Sequence, residues 1–188
     1  MKTNGKTNVY TLCTAGIIAA IYVALTLAFA PISFGPVQLR ISEMLCILPA
    51  FTIAGVPGVA IGCLLANLWA GAMLPDVVFG TLATLIGAAG TYWLCNGKNS
   101  GGTWDSAEKT AAAGSDWMFL LRAALPPIVS NAIIVPLVLK YAYHLEDAVW
   151  FMVLTVGAGE VLAVGVLGGV LLRVLKRYRS VLFVHQAA

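Results

Sequence analysis

A glutamate lies in the middle of the last long apolar segment of the sequence, where a charged side chain needs an explanation. Glu160 follows the small-residue run Gly157-Ala158-Gly159, and it lies about 18 Å along a helix from the preceding polar loop. A charge at the centre of a bilayer costs roughly 2.5–3.5 kcal/mol on insertion scales, so such residues face a bundle interior or a wet cavity. Two interpretations are open: a protonated acid that bonds another helix, or a carboxylate that binds a solute.

Other polar residues fall at comparable depths in other apolar segments. Asn131 and Asn67 lie within two of them, and Asp76, Arg40 and Glu43 lie at the starts of two more. Each has a structural alternative: the amides could join helices, Asp76 could start a helix, and Arg40 with Glu43 could form an interfacial i,i+3 ion pair. Their agreement in depth, in the outer half of a bundle, predicts a polar cavity that opens to the outside.

The composition requires lipid as the solvent for much of this chain. Of 188 residues, 60% are apolar and 10% are charged, against about 25% charged in an ordinary soluble domain. The basic residues lie at chain ends and in loops, which argues against nucleic-acid binding. The four cysteines form no CxxC pair, which argues against a zinc site or a disulfide framework. The sequence also lacks a phosphate-binding loop and a Ser/His/Asp arrangement, so we expect no enzyme.

We predict an all-α membrane bundle of six transmembrane helices that forms one domain over residues 1–188. A helix needs about 20 apolar residues to cross the hydrocarbon core. The second and third segments are shorter and are separated by Gly55-Val56-Pro57-Gly58, which predicts a tight helical hairpin. One long broken helix, and therefore five spans, is the alternative. The predicted spans are residues 9–30, 41–54, 58–74, 77–95, 118–141 and 148–172.

The distribution of basic residues predicts that both termini are cytoplasmic. Six spans place nine of the eleven basic residues on one side and leave Arg40 and Lys140 on the other, as the positive-inside rule requires. Residues 96–117 are polar and rich in Gly and Ser, which predicts a flexible cytoplasmic loop. The first apolar run also resembles a cleavable signal peptide, but it is longer than the usual ~7–15 residues, so we expect a retained helix.

Five stretches of the sequence carry a family resemblance. They are Pro31 to Glu43 (PISFGPVQLRISE) with Leu48-Pro49, Gly62 to Asn67 (GCLLAN), Asp76 to Thr84 (DVVFGTLAT), Pro126 to Asn131 (PPIVSN) and Val156 to Glu160 (VGAGE). These stretches resemble the QueT family, the queuosine-precursor S-components of energy-coupling-factor (ECF) transporters. The likeness covers nearly the whole chain in order, although residues 96–117 look longer and more polar than is usual for the family.

The resemblance implies a six-helix substrate-binding subunit of the cell membrane with an outward-facing pocket. It also implies partners, namely a transmembrane coupling subunit and two ATPase subunits, which would hydrolyse ATP, so this chain would need no cofactor of its own. The small-residue face of the first helix is the family's expected docking surface. Two small-xxx-small pairs match it, Ala15/Ala19 and Ala20/Ala24.

The substrate implied by the resemblance is a 7-deazaguanine, preQ1 or queuine. A carboxylate can accept the two N–H groups of a guanine edge, with Glu160 as the first choice and Glu43 as the second. The base carbonyl would need a donor such as Asn67, Asn131 or Arg40, and Asp76 is a further polar candidate. The candidates for stacking on the base are Phe34, Trp69 and Tyr92. The alternative function is a stand-alone proton-coupled secondary transporter in which Glu160 carries the proton.

Overall fold

The computed structural model describes residues 4–33, 39–96, 116–142 and 148–177, and within these ranges the regular elements are all helical. This confirms the predicted fold class. The elements are α1 (Asn4–Ala28), α2 (Ala30–Ser33), a 3-10 helix (Ile41–Ala50), α3 (Gly55–Trp69), α4 (Leu74–Asn96), α5 (Asp116–Tyr141), α6 (Val149–Glu160), a π-helical segment (Val161–Leu167) and α7 (Gly168–Arg177).

Four helical stretches in the described part of the chain are long and apolar enough to cross a membrane: Val9–Ala28, Leu74–Asn96, Trp117–Tyr141 and Val149–Leu175. The protein is therefore a multi-pass membrane protein. The predicted second and third spans are shorter apolar helices, Ile41–Ala50 and Gly55–Trp69. They reach only about 20 Å and 22 Å, against about 30 Å of hydrocarbon. Six complete crossings therefore stay a prediction.

The predicted boundaries of the helical hairpin are wrong by several residues. The chain turns at residues 51–54, and α3 already begins at Gly55, because Pro57 is tolerated in the first turn of a helix, where its missing N–H would have no partner. A Cβ on Gly55 would lie 2.6 Å from the backbone nitrogen of Pro49. A glycine is therefore needed where α3 folds back on the 3-10 helix.

The third predicted span was also drawn too long, because it runs to residue 74. The helix ends at Trp69, and Gly71 takes a φ of 71°, the left-handed conformation that commonly ends helices. The Ala72 N–H donates to the Asn67 carbonyl at 3.0 Å across this turn. Leu74 instead opens α4, and Asp76 lies in its first turn, as predicted.

Close contacts show that α1 and α3 run side by side in the same direction. A Cβ on Gly58 would lie 2.9 Å from Ile18, and one on Gly62 would lie 2.7 Å from Tyr22. The 3-10 helix lies between these two helices and α4 and runs in the opposite direction to α1 and α3. Its first residues face the start of α4, and the carbonyl of Pro49 near its end accepts a hydrogen bond from Asn96, the last residue of α4, at 3.3 Å. The 3-10 helix and α3 therefore form the predicted hairpin.

Helices α4 and α5 pack closely and in opposite directions around two prolines of α5. A Cβ on Gly87 would lie 2.6 Å from Pro127. Since Pro127 has no N–H, the carbonyl of Ala123, four residues earlier, loses its helical donor. The Thr91 hydroxyl of α4 donates to that carbonyl at 2.7 Å. This bond explains how a proline is accommodated inside α5.

The two ends of the bundle differ in composition. At one end, which we call the apolar end, the chain packs an aromatic and aliphatic cluster around Phe51, Phe119 and Leu172. The centroids of the Phe51 and Phe119 rings lie 5.5 Å apart. The opposite half, where the 3-10 helix and α4 begin, we call the polar half, because the buried acids lie there together with the buried amides of Asn67 and Asn131. The start of α1 and the end of α7 both lie toward the apolar end.

The last long helix changes its hydrogen-bonding pattern immediately after Glu160. Residues Val161–Leu167 form a π-helical segment between α6 and α7, and such segments are frequent at functional sites. Gly168 lies close to the 3-10 helix, since a Cβ there would be 3.6 Å from the Met44 carbonyl oxygen. The predicted flexible loop 96–117 falls almost entirely outside the described residues.

Candidate solute-binding site

Glu43 is the most densely hydrogen-bonded side chain of the polar half. Its carboxylate is 1% exposed, and its Oε1 accepts the Tyr22 hydroxyl at 2.5 Å and the Thr84 hydroxyl at 3.4 Å. The Cys46 thiol donates to Oε2 at 2.9 Å. Three segments, α1, the 3-10 helix and α4, therefore hold this one acid.

Arg40 lies beside Glu43 inside the protein. The predicted i,i+3 ion pair exists, with Nη1 3.9 Å from Glu43 Oε1, but its side chains are only 7% and 1% exposed. The alternative of an interfacial ion pair is therefore wrong. Asp76, at the start of α4, also acts electrostatically on the guanidinium. A buried cation flanked by two acids is an expensive arrangement that a purely structural role does not require.

Cys63 of α3 receives hydrogen bonds from three of its neighbours. Arg40 Nη1, Asn67 Nδ2 and the Thr84 hydroxyl lie 3.7, 3.6 and 3.4 Å from its sulfur. Asn67 is fully buried, and its Oδ1 has no hydrogen-bond partner. The cluster thus leaves a buried acceptor open at its edge.

Gly80 of α4 makes room for the side chains that flank it. A Cβ there would lie 3.3 Å from both Asn67 Nδ2 and Asp76 Oδ1. The side chains of Asn67 and Asp76 therefore both approach Gly80.

Glu160 and Asn131 meet across the α5–α6 contact, as their depths in the sequence suggested. Asn131 Nδ2 donates to Glu160 Oε1 at 3.0 Å, while Glu160 Oε2 has no hydrogen-bond partner. Glu160 is 7% exposed and Asn131 2%. Glu43 and Arg40 both act electrostatically on Glu160. The two polar groups therefore belong to one region of the bundle interior.

The aromatic candidates do not join this region. Trp69 is 74% exposed at the end of α3, where an interfacial aromatic belt is the simpler explanation. Tyr92 is half-buried on α4, about 12 Å along the helix from Thr84 and toward the apolar end. Phe34 lies outside the described residues.

The two small-residue pairs of α1 have different surroundings. Ala15 and Ala19 are 5% and 6% exposed and pack toward Gly58 and Gly62 of α3. Ala20 and Ala24 are exposed on another face of the helix. Only the second pair is therefore available at the protein surface.

Four side chains of the site were missed in the sequence. Tyr22, Thr84, Cys46 and Cys63 are residue types that fill helical cores, so their types alone did not mark them as site residues. The lone tyrosine in the middle of the first apolar segment was the one available signal, since a buried hydroxyl usually finds a partner.

The arrangement offers hydrogen bonds and charge. Buried acceptors without a donor are costly, and two of those in the described residues, Glu160 Oε2 and Asn67 Oδ1, lie in the polar half, while a third, Asn96 Oδ1, lies toward the apolar end. Within the described residues, no three His, Cys, Asp or Glu side chains form a group that could hold a metal ion. Such a site suits a small polar solute that brings its own N–H donors.

Comparisons with known proteins identify the family. The family model of the QueT transporter matches residues 12–177. A relative in Lactococcus lactis subsp. cremoris (strain MG1363), described as queuosine precursor transporter QueT, is 39% identical over 83 residues, which are 43% of this chain and 48% of that protein. The chain thus aligns with about half of the length of that relative. No solved structure matches this chain. Because the family model covers most of the sequence, the chain belongs to the QueT transporter family.

Proposed function

We propose that this chain is the substrate-binding subunit of an ECF importer and captures a queuosine precursor, a 7-deazaguanine such as preQ1 or queuine, at the outer face of the cell membrane. The observation that carries the proposal is the buried Glu160, which Asn131 holds by one oxygen while the other has no partner. The relative named as a queuosine precursor transporter supports the choice of substrate.

The chemistry of a 7-deazaguanine complements this site. Its N1–H and 2-amino groups are adjacent donors, and an ionised carboxylate can accept both in a charge-assisted pair. Glu160 is positioned for that role. The carbonyl at C6 needs a donor, and the guanidinium of Arg40, with its five N–H groups, supplies one. The cationic aminomethyl group of preQ1 is favoured by the surrounding acids.

Six crossings with cytoplasmic termini complete the proposal. The start of α1 and the end of α7 lie toward the apolar end, where Arg122 and Cys95 interact electrostatically. An excess of basic residues marks the cytoplasmic side of membrane proteins. This orientation turns the polar half, with Arg40 and Asp76, to the outside.

Energy for uptake would come from partner subunits. The sequence carries no phosphate-binding loop, so ATP hydrolysis falls to two ATPase subunits joined through a coupling subunit. On α1, Gly16, Ala20 and Ala24 form an exposed small-residue face, and a Cβ on Gly16 would meet nothing within 4 Å. Such a face lets another helix approach closely.

Calorimetry on the purified protein tests the binding function. We expect preQ1 to bind without ATP, and Glu160→Gln to weaken the binding by about tenfold to hundredfold, because a hydrogen bond to a charged acceptor is lost. Glu108→Gln, which removes an acid from the polar stretch 96–117 of the sequence, is the matched control and should bind normally. Absence of binding by the unaltered protein, or equal binding by Glu160→Gln, would refute this assignment.

Uptake into liposomes separates the importer from the stand-alone transporter. We expect this chain alone to accumulate no radiolabelled preQ1 under a pH gradient, and uptake to require the coupling subunit, the two ATPases and ATP. Gradient-driven uptake by the chain alone would instead establish the proton-coupled transporter.

Co-purification tests the docking face. Ala24→Trp should reduce recovery of the coupling subunit and leave preQ1 affinity unchanged, since the added ring occupies the exposed face of α1, whereas Tyr22, which bonds Glu43, lies on the buried face. Val78→Trp, on an exposed face of α4, is the control. Equal recovery with both variants would place the partner elsewhere.

A further inference from the structure

Two of the three acids buried in the described part of the chain, Glu43 and Glu160, differ in how many protein donors they already have. Both oxygens of Glu43 already have protein donors: the Tyr22 hydroxyl on Oε1 at 2.5 Å and the Cys46 thiol on Oε2 at 2.9 Å. The Thr84 hydroxyl is a longer contact to Oε1 at 3.4 Å, with the Gly80 carbonyl as its nearer acceptor at 3.1 Å, and Arg40 Nη1 lies beyond hydrogen-bond distance at 3.9 Å. Neither oxygen of Glu43 is therefore left without a donor.

Glu160, by contrast, has a protein donor on only one of its two oxygens. Asn131 donates to Oε1, and Oε2 has no partner although the side chain is only 7% exposed. Leaving a buried acceptor unpaired is costly, so native proteins pair such groups with protein, water or ligand. The open oxygen of Glu160 therefore marks where a ligand donor belongs.

The donors around Glu43 connect it to the guanidinium. Arg40 Nη1 lies 3.9 Å from Glu43 and 3.7 Å from Cys63, and the Thr84 hydroxyl contacts both Glu43 and Cys63. A long flexible side chain inside a bundle needs such a frame to hold one rotamer. Glu43, together with Cys63, therefore helps to hold Arg40 Nη1 in place.

We propose that the two acids have separate roles in specificity: Glu160 contacts the ligand and selects its exocyclic 2-amino group, whereas Glu43 is a positioning residue that acts through Arg40 on recognition of the C6 carbonyl. This inference rests on the proposed function. It revises the expectation from the sequence that Glu43 is a second acid on the base edge.

Three ligands distinguish the two roles: preQ1, its analogue without the 2-amino group, and its 6-thioxo analogue, which keeps N1–H but has a weak acceptor at C6. We expect the unaltered protein to prefer preQ1 over the first analogue by about tenfold or more and over the second by about fivefold. Calorimetry on the full chain measures, for each variant, the ratio of preQ1 affinity to the affinity for each analogue. We call the ratio for the first analogue the 2-amino preference and the ratio for the second the 6-oxo preference.

The variants should affect the two ratios separately. Glu160→Gln should reduce the 2-amino preference to less than about threefold and leave the 6-oxo preference intact. Glu43→Gln should instead reduce the 6-oxo preference and leave the 2-amino preference intact. A merely structural loss would weaken all three ligands equally and move neither ratio. Tyr22→Phe, which removes one donor to Glu43 without removing the acid, should give a weaker form of the Glu43→Gln pattern and serves if Glu43→Gln fails to fold.

The outcomes separate this inference from the function beneath it. If Glu43→Gln or Tyr22→Phe abolishes the 2-amino preference, or if Glu160→Gln leaves it unchanged, the division of roles is wrong. A uniform weakening by Glu43→Gln would equally overturn its positioning role. Failure of the unaltered protein to bind any of the three ligands would refute the proposed function itself.

Discussion

The polar residues of the two ends of the bundle use their hydrogen bonds differently. Toward the apolar end, Thr91 donates to the backbone carbonyl of Ala123, and Asn96 donates to the carbonyls of Pro49 and Tyr92. In the polar half, Thr84 and Thr26 also donate to backbone carbonyls, but the two glutamates bond other side chains: Glu43 bonds Tyr22 and Cys46, and Glu160 bonds Asn131.

Under the proposed function, this difference separates structural residues from binding residues. In a membrane, backbone groups freed by prolines and irregular helices must be satisfied internally, and Thr91 and Asn96 do so. Side chains that bond one another repair no backbone defect. Burying these polar side chains costs free energy, and a solute that completes their hydrogen bonds would offset that cost.

Replacing each asparagine by the isosteric leucine is the strongest test of the contrast. Asn131→Leu should weaken preQ1 binding by about tenfold to hundredfold, because Glu160 loses the donor that holds it and such charge-assisted bonds contribute about 1.5–3 kcal/mol. Asn96→Leu should lower thermal stability and leave preQ1 affinity within about twofold. Calorimetry and thermal unfolding in detergent measure the two effects.

The opposite result would erase the distinction between the ends. If Asn96→Leu weakened binding as much as Asn131→Leu, the hydrogen bonds at the apolar end would be part of the site. If neither changed affinity, the Glu160–Asn131 pair would be a helix-joining contact only.

Much of the fold could be predicted from the sequence, because a helix that crosses lipid needs an apolar run of a fixed length. The four long helices follow from runs of about 20 apolar residues, and the starts of α4 and α6 lie within a few residues of prediction. The 3-10 helix and the π-helical segment were not readable. Both depend on packing around Pro49 and behind Glu160, which no local pattern encodes.

The sequence predicted how deep along its helix each candidate residue lies, but not the direction in which its side chain points. Counting residues from a helix end located Glu160 and Asn131 at matching levels, and they do meet. Depth alone says nothing about which way a side chain faces, so Tyr92 and Trp69 were included although they point elsewhere. Cys63 was overlooked because a thiol in an apolar helix looks like packing.

The α4–α5 contact joins the two ends, and an added methyl group there should disturb both. Gly87 lies between Thr84 and Thr91, and a Cβ on it would lie 2.6 Å from the Pro127 backbone. We expect Gly87→Ala to reduce the free energy of unfolding by about 1–3 kcal/mol, because backbone cannot move aside cheaply. Thermal unfolding in detergent measures this change.

Gly157→Ala is the matched control in another helix contact. Its added Cβ would lie 3.7 Å from Ala132, an ordinary van der Waals distance, and alanine favours a helix over glycine by about 1 kcal/mol. Its stability should therefore stay level or rise. A loss equal to that of Gly87→Ala would mean that close packing of α4 on α5 has no special importance.

The smallest predicted effect compares two threonines of α4. Thr84→Val removes a hydroxyl that contacts Glu43 and Cys63 at 3.4 Å, and we expect preQ1 affinity to fall by about fivefold, the equivalent of one neutral hydrogen bond of about 1 kcal/mol. Thr91→Val removes the donor to the Ala123 carbonyl. It should reduce the free energy of unfolding by about 1 kcal/mol and leave the affinity unchanged.

Because valine and threonine have nearly the same shape, this pair isolates the hydroxyl group. Each variant should be measured by both calorimetry and thermal unfolding, so that a loss of affinity can be separated from a loss of folded protein. If Thr91→Val reduced affinity while Thr84→Val did not, the binding residues would lie toward the apolar end. The open oxygen of Glu160 would then need a different explanation, since its region would no longer be the one that a ligand completes.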